Sequence, residues 1–324
     1  MESPFTHNCI ATGNSFLSRK KDVSQIAARI GNGTHTVIYE PPKTGKQSAV
    51  RMALEQFRET ETRLVETDLL SVIDGKDLHD ALAPVAEARS TDSSRTIVYI
   101  RNFQNILRFA DWDRHVSALG REMQREDAPV LIITGSGVNA MEYIFQERKS
   151  LYRQYERVRL SPIDEKSVTE HIIKTFLRVG RVVDQRQAEY IYSIADGHPW
   201  YIWQIANSCF NLTKGYLSNS LLEEAVESLL YTHSVRFQSI VDSLSHYQLH
   251  FLRAVFDGIS QASSTEVVSR YGLNSSANVH RIKEAMMRKE VIVIKDQDTP
   301  ELIDPIFRLW LERYYFKTEK KFRL

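Results

Sequence analysis

Four apolar runs recur through the first half of the chain: "TVIY" at 36–39, "RLVETDLL" at 63–70, "TIVYI" at 96–100 and "PVLIITGSG" at 129–137. Between and before them lie stretches with helical spacing: Val23, Ile26, Ala27 and Ile30, then Ser48 to Glu59, Leu78 to Ala88 and Arg114 to Arg125. Strands that alternate with helices need crossover connections, so they build a parallel sheet with helices on both faces. Such a sheet takes its ligands at the carboxyl ends of its strands. That puts Glu40, Arg101 and Thr134 along one rim.

From Ser161 the strands stop. "SPIDEKSVTEHIIKTFLRVG", "DQRQAEYIYSIADG", "PWYIWQIANSCFNL" and "SLLEEAVESLL" are amphipathic helices punctuated by Ser-Pro, Asp and Gly, which predicts a helical bundle. From His246 three short helices precede "EVIVIKDQDTPELIDPIF", a β-hairpin pattern, and that order is the order of a winged helix. Three domains are expected, at 1–160, 161–245 and 246–324. The basic tail "KTEKKFRL" reads as a solvated terminus.

With 42 Lys and Arg against 41 Asp and Glu, the chain as a whole advertises neither nucleic acid nor an anionic membrane as its partner. Cys9 and Cys209 are too far apart in sequence for metal-ligand spacing, which suits two free thiols in a reducing compartment. The first twenty residues contain no apolar signal-peptide core and no run is long enough to span a membrane, so a cytoplasmic chain is expected.

The residues after "TVIY" are Glu40-Pro41-Pro42-Lys43-Thr44-Gly45-Lys46-Gln47, which align with the phosphate-loop pattern G-x-x-x-x-G-K-[ST]. Gly45 and Lys46 match. Glu40 puts an anionic side chain where the pattern has glycine, and Pro41 and Pro42 have no N–H to turn toward a phosphate. Gln47 replaces the hydroxyl that coordinates Mg²⁺, and Ser48 comes one residue late, about 100° around the helix. The strand "TIVYI" ends in Arg101 and Asn102, where ATP-splitting proteins carry the acids that hold the metal and activate water.

Six segments in order resemble the archaeal-type ATPases of the STAND branch of AAA-like P-loop proteins, in their Bacteroidetes-type versions. "SPFTHNCIATGNSFLSRKKD" is similar to a box ending in F-x-x-R-x-x-E, carried by Phe16, Arg19 and Asp22. "EPPKTGKQS" stands for G-P-R-R-x-G-K-T-S, and "IVYIRNFQNI" for an apolar strand followed by D-E-F-Q. "IITGSGVNAMEYIF" looks like the sensor strand, "ADGHPWYIWQIA" the G-x-P segment of the lid, and "LIDPIFRLWL" the D-P-x-F-x-x-W-L signature.

The resemblance implies a P-loop NTPase core, a helical lid and a winged helix that docks or is released with nucleotide state. It places Pro42, Lys43, Thr44, Gly45, Lys46, Gln47 and Ser48 around the phosphates, Phe16 and Arg19 beside base or ribose, Ser136 near the γ-phosphate and Gly197 and Pro199 near adenine. With Gln47, Arg101 and Asn102 at the degenerate positions, no catalytic residue is expected. The leading expectation is a regulatory switch or scaffold with weak or absent ATP binding, no Mg²⁺ and no hydrolysis, acting through a protein partner or self-association. Two arrangements of its crevice are weighed: Glu40 pairing with Arg101 to close it, or Arg101 taking the place of Mg²⁺.

Two alternatives stand beside this reading. One is an active or slow ATPase, for which Asp68 would supply the missing acid. The other is a DNA-binding regulator whose recognition helix, Ser275 to Lys289, presents Ser276, Asn278, His280, Arg281 and Lys283. The 13 Lys and Arg from His246 onward, against 10 Asp and Glu, make only a faint basic signal for that role. His198, Trp200, Tyr201 and Trp203 read as packing residues of the lid.

Overall fold

The computed structural model describes residues 3–13, 16–17, 19–58, 61–90, 94–146, 151 and 153–318. Asn14, Ser15 and Ser18 of the N-terminal box, and the basic tail from Glu319 onward, lie outside the described residues. The chain forms two compact units, one spanning Ile10–Ser161 and the other joining the residues up to Cys9 to those from Pro162 onward.

The first unit is a five-stranded parallel sheet in the order β2-β3-β4-β1-β5, with β1 Thr36–Tyr39, β2 Thr62–Asp68, β3 Arg95–Arg101, β4 Val130–Gly135 and β5 Glu156–Arg157. The period-2 alternation of the strands divides their side chains between two cores. Ile38, Ile97, Tyr99, Val130 and Ile132 pack with α1 (Lys20–Gly31) and α2 (Lys46–Leu54). Val37, Tyr39, Val98, Ile100, Leu131 and Ile133 pack on the other face with α3 (Gly75–Glu87), α4 (Trp112–Met123) and α5 (Val138–Gln146). Both faces are covered, so the inner strands β1, β3 and β4 read as continuous apolar runs, whereas the edge strand β2 is partly exposed.

The four expected strands are present. β5 has only two residues, too few for a periodic signal. The helix expected from Ser48 to Glu59 begins two residues earlier, directly after Gly45, and tightens into a 3₁₀ turn at Glu55–Phe57.

The second unit carries α6 (Glu165–Leu177), α7 (Gln185–Ile194), α8 (Pro199–Leu212) and the 24-residue α9 (Asn219–Asp242), followed by the winged helix. The wing domain contains α10 (His246–Phe256), α11 (Thr265–Arg270), α12 (Ser276–Arg288) and the antiparallel strands β6 (Ile292–Lys295) and β7 (Thr299–Leu302), closed by α13 (Pro305–Trp310). Ser264 and Ser275 cap α11 and α12 by accepting N–H groups three residues on, which places both helix starts where the sequence has its serines. The lid helices and the winged helix share one apolar core, running from Ile163 through Phe176, Phe210 and Phe237 to Phe307 and Trp310. Phe5 of the N-terminal segment lies in that core, against Trp203 and Phe210. Among the described residues no helix is long and apolar enough to cross a membrane.

Candidate phosphate-binding site

The register of the sheet brings the carboxyl ends of β1, β4 and β3 side by side: Ile38 pairs with Thr134, Tyr39 with Gly135, and Ile100 with Ile133. Glu40, Arg101 and Thr134 therefore do share one rim. The loop between β1 and α2 turns through Lys43 at φ 63° and Gly45 at φ 93°. Both are left-handed, and at Gly45 a side chain would be strained even though the space beside it is open. Thr44 Oγ1 donates to the Pro41 carbonyl at 2.9 Å and closes the turn.

Lys46, the first residue of α2, is buried. Its ammonium donates to the carbonyls of Glu40 at 2.8 Å and Pro41 at 2.7 Å. Burial pulls its pKa down to about 7, and the nearby Arg19 charge adds to the drop while the Glu40 carboxylate opposes it. Glu40 is shifted the other way: burial raises its pKa, against a hydrogen bond from the Leu160 N–H and the charges of Arg157, Lys46 and Arg19. Helix α2 starts without a side-chain cap, so its first-turn N–H groups are oriented as an anion site would need. Lys46 can join them only by giving up the loop carbonyls it now holds.

At the end of β3, Arg101 and Asn102 both engage Asp68. Asp68 ends β2 directly beside Arg101 of β3. Its Oδ2 lies 3.3 Å from the Arg101 guanidinium, and its Oδ1 accepts Asn102 Nδ2 at 2.7 Å and the Leu70 N–H at 2.9 Å. Asn102 is itself left-handed, at φ 53°, and starts the 3₁₀ turn Phe103–Arg108. The Ser48 hydroxyl accepts the Ala11 N–H at 3.0 Å, so the N-terminal segment crosses the first turn of α2.

The closure expected from a Glu40–Arg101 pair does not form. Among the described residues no ion pair joins them; Arg101 turns to Asp68, its immediate neighbour in the sheet, and Glu40 to Leu160. The two residues end strands separated by β4, whereas Asp68 and Arg101 are in direct register.

The remaining predicted residues divide between the units. Phe16 packs against the α1–α2 core, and Arg19, at φ 67°, precedes α1 with its guanidinium 3.9 Å from Asp22. The Ser136 N–H donates to Gln104 Oε1 at 3.1 Å. Gln104 lies in "IVYIRNFQNI", at the final position of the D-E-F-Q pattern, and nothing local in that segment signals its bond to Ser136. Gly197 and Pro199 lie in the second unit, where Gly197, at φ 67°, forms the turn into α8. A Cβ there would meet the Tyr192 hydroxyl at 2.8 Å, which gives this glycine a packing reason of its own.

Of the residues expected to face DNA, Lys283 is engaged inside the domain: Nζ donates to Asp298 Oδ1 at 2.5 Å and Ser263 Oγ at 3.1 Å. Asn278 Nδ2 donates to the Leu273 carbonyl at 3.0 Å, and the Ser276 hydroxyl to that of Ser263 at 2.9 Å. His280 is exposed and lies 3.4 Å from Glu284; Arg281 is exposed.

Residues 235–313 match a family described as a probable winged helix domain. No curated protein matches the sequence. Among solved structures the chain is similar to a Walker-type ATPase of Pyrococcus abyssi, at 14% identity and a TM-score of 0.71, covering 95% of this chain and 99% of that one. It is similar to the ADP form of the Aeropyrum pernix ORC2 protein, at 14% identity and a TM-score of 0.57, with 98% of each chain covered. It is also similar to the Aeropyrum pernix ORC1 protein in complex with DNA, at 11% identity and a TM-score of 0.52, covering 94% of this chain and 95% of that one. At such identities the likeness carries the fold: a P-loop ATPase fold with a C-terminal winged helix.

Proposed function

We propose that this chain is a regulatory P-loop protein of the STAND type whose ATPase motifs have degenerated. It works in the cytoplasm, binds the phosphates of ATP weakly and without Mg²⁺, and passes that occupancy to a protein partner or a second copy. The observation that carries the reading is the state of Asp68. Asp68, the acid that an active site would have to recruit, has both oxygens committed to Arg101, Asn102 and the Leu70 N–H. With Gln47 and the engaged Ser48 beside it, the residues present do not fit Mg²⁺. Lys46 and the uncapped start of α2 fit a phosphate group, at the cost of two lysine–carbonyl hydrogen bonds.

Titration calorimetry with ATP tests this directly. The expected Kd is about 0.1 mM or weaker, roughly −5.5 kcal/mol, and the same with Mg²⁺ as with EDTA. A requirement for Mg²⁺ would overturn the reading.

A second reading, DNA contact through α12, is favoured by the family match, by the DNA-bound ORC1 neighbour and by exposed Arg281 and Arg288. The local electrostatics favour a protein partner instead. The hairpin carries Asp296, Asp298 and Glu301; Lys295 pairs with Glu301 and Lys283 with Asp298. Phosphate contacts need free cations. In a fluorescence anisotropy titration, duplex DNA is expected to bind no tighter than non-specific association, about 10⁻⁴ to 10⁻⁶ M at physiological salt. A sequence-selective complex in the nanomolar range would restore the DNA reading.

A further inference from the structure

The last residues of the sheet unit are held by two carboxylates. Glu40 Oε1 accepts the Leu160 N–H at 3.2 Å. Asp22, almost fully buried at the start of α1, accepts the Ser161 N–H at 3.1 Å and the Ser161 hydroxyl at 3.0 Å. Leu160 also packs against the α1–α2 core. One residue further on, at Pro162, the chain enters its second compact unit.

Glu40 is where this clasp meets the phosphate loop. Its backbone carbonyl accepts Lys46 Nζ, while its side chain holds Leu160. The carboxylate is largely buried, and Lys46, Arg157 and Arg19 are the cations that stabilise its charge. A phosphate that drew the Lys46 ammonium off the Glu40 and Pro41 carbonyls would take away one of these cations and put a like charge beside the carboxylate. Like charges in a poorly solvated setting repel strongly. The side chain can answer by taking up a proton, which keeps an acceptor for Leu160, or by leaving while still ionised, and then the Leu160 N–H loses its acceptor.

From this geometry we infer that Glu40 is a coupling residue: occupancy of the phosphate loop releases Leu160, while Asp22 keeps Ser161 anchored whether or not ligand is bound. The site's regulation would thus be written into the position where the phosphate-loop pattern has glycine. A glycine there has no side chain to hold Leu160. The inference rests on the reading that a phosphate reaches Lys46.

The test is hydrogen exchange of the Leu160 and Ser161 amides in the full chain, followed by NMR in EDTA, with pyrophosphate as the probe and calorimetry on the same samples. Without ligand, Glu40→Ala is expected to speed exchange at Leu160 by about tenfold or more and leave Ser161 nearly unchanged. Asp22→Ala, which removes both acceptor oxygens from Ser161, is expected to do the reverse. Saturating pyrophosphate is expected to bring wild-type Leu160 to the Glu40→Ala rate and to add nothing in that variant. Glu40→Gln keeps an acceptor oxygen without the charge, so its Leu160 amide is expected to stay protected with and without pyrophosphate. Exchange at Leu160 unaffected by Glu40→Ala overturns the clasp. Calorimetric binding that leaves wild-type Leu160 protected overturns the coupling alone. No heat with pyrophosphate overturns the phosphate reading and the coupling with it, even where Glu40→Ala still frees Leu160.

Discussion

Incubated with ATP and Mg²⁺, the protein is expected to release phosphate at the rate of buffer alone. Hydrolysis of the terminal phosphate needs a cation to gather charge and a group that orients or deprotonates water. Asp68 is the candidate acid for both tasks and is engaged elsewhere: the Arg101 guanidinium lies against Oδ2 while Asn102 and Leu70 donate to Oδ1. A carboxylate held in this way is a poor base and a poor metal ligand. Loss of a positioned base alone costs about 10²- to 10⁴-fold in rate, and loss of the metal removes several kcal/mol more of charge stabilisation.

The complementary experiment is Arg101→Asp with Asn102→Glu, which restores two acids at the end of β3 and frees Asp68 from its partners. ATP binding by this variant is expected to become Mg²⁺-dependent. Turnover is expected to stay low, since Gln47 and the Ser48–Ala11 hydrogen bond are untouched. Phosphate release by the natural protein above background, and abolished by Lys46→Ala, would refute the proposed loss of hydrolysis.

Trp310→Ala is expected to destabilise the second unit by about 3–5 kcal/mol, the usual cost of removing a buried aromatic ring. Trp310 is 3% exposed, its ring lies 5.8 Å from Phe237 of α9 and 6.1 Å from Phe307, and its indole N–H donates to Ser234 Oγ at 3.1 Å. Truncation loses ring contacts, leaves a cavity and strips a hydrogen bond from the Ser234 hydroxyl. At about 2–4 °C per kcal/mol for a unit of this size, Tm falls by roughly 10 °C. Tyr231→Ala serves as the control: Tyr231 is 82% exposed on α9, and its loss is expected to stay within about 0.5 kcal/mol. Calorimetry should show lid and winged helix melting together, because one core serves both. A separate early transition for the winged helix alone would contradict that shared core.

The same core gives the motif "LIDPIFRLWL" its structural role. Asp304 caps α13 through the N–H groups of Ile306 and Phe307 and also accepts the Tyr201 hydroxyl and the Arg236 guanidinium, both at 2.7 Å. Tyr201 sits in "GHPWYIW", so two of the six recognised segments meet at one carboxylate. The packing role expected for Tyr201 is compatible with its position, 2% exposed in the core.

The amino-acid sequence by itself determined the alternation of strands and helices, the two covered faces of the sheet, the order of the winged-helix elements and the departures of the loop at 40–47 from the phosphate-loop pattern. All of these rest on local periodicity or backbone stereochemistry. The partners of the edited residues were decided by tertiary structure. Arg101 could have faced Glu40 or Asp68, and only the strand order, with β3 in register against β2 and separated from β1 by β4, chose Asp68. Glu40 found its partner 120 residues away at Leu160, and Asp22 found Ser161 139 residues away. Charge and hydrogen-bonding capacity can be read from a residue's type, but what it pairs with depends on which strand ends the fold sets side by side.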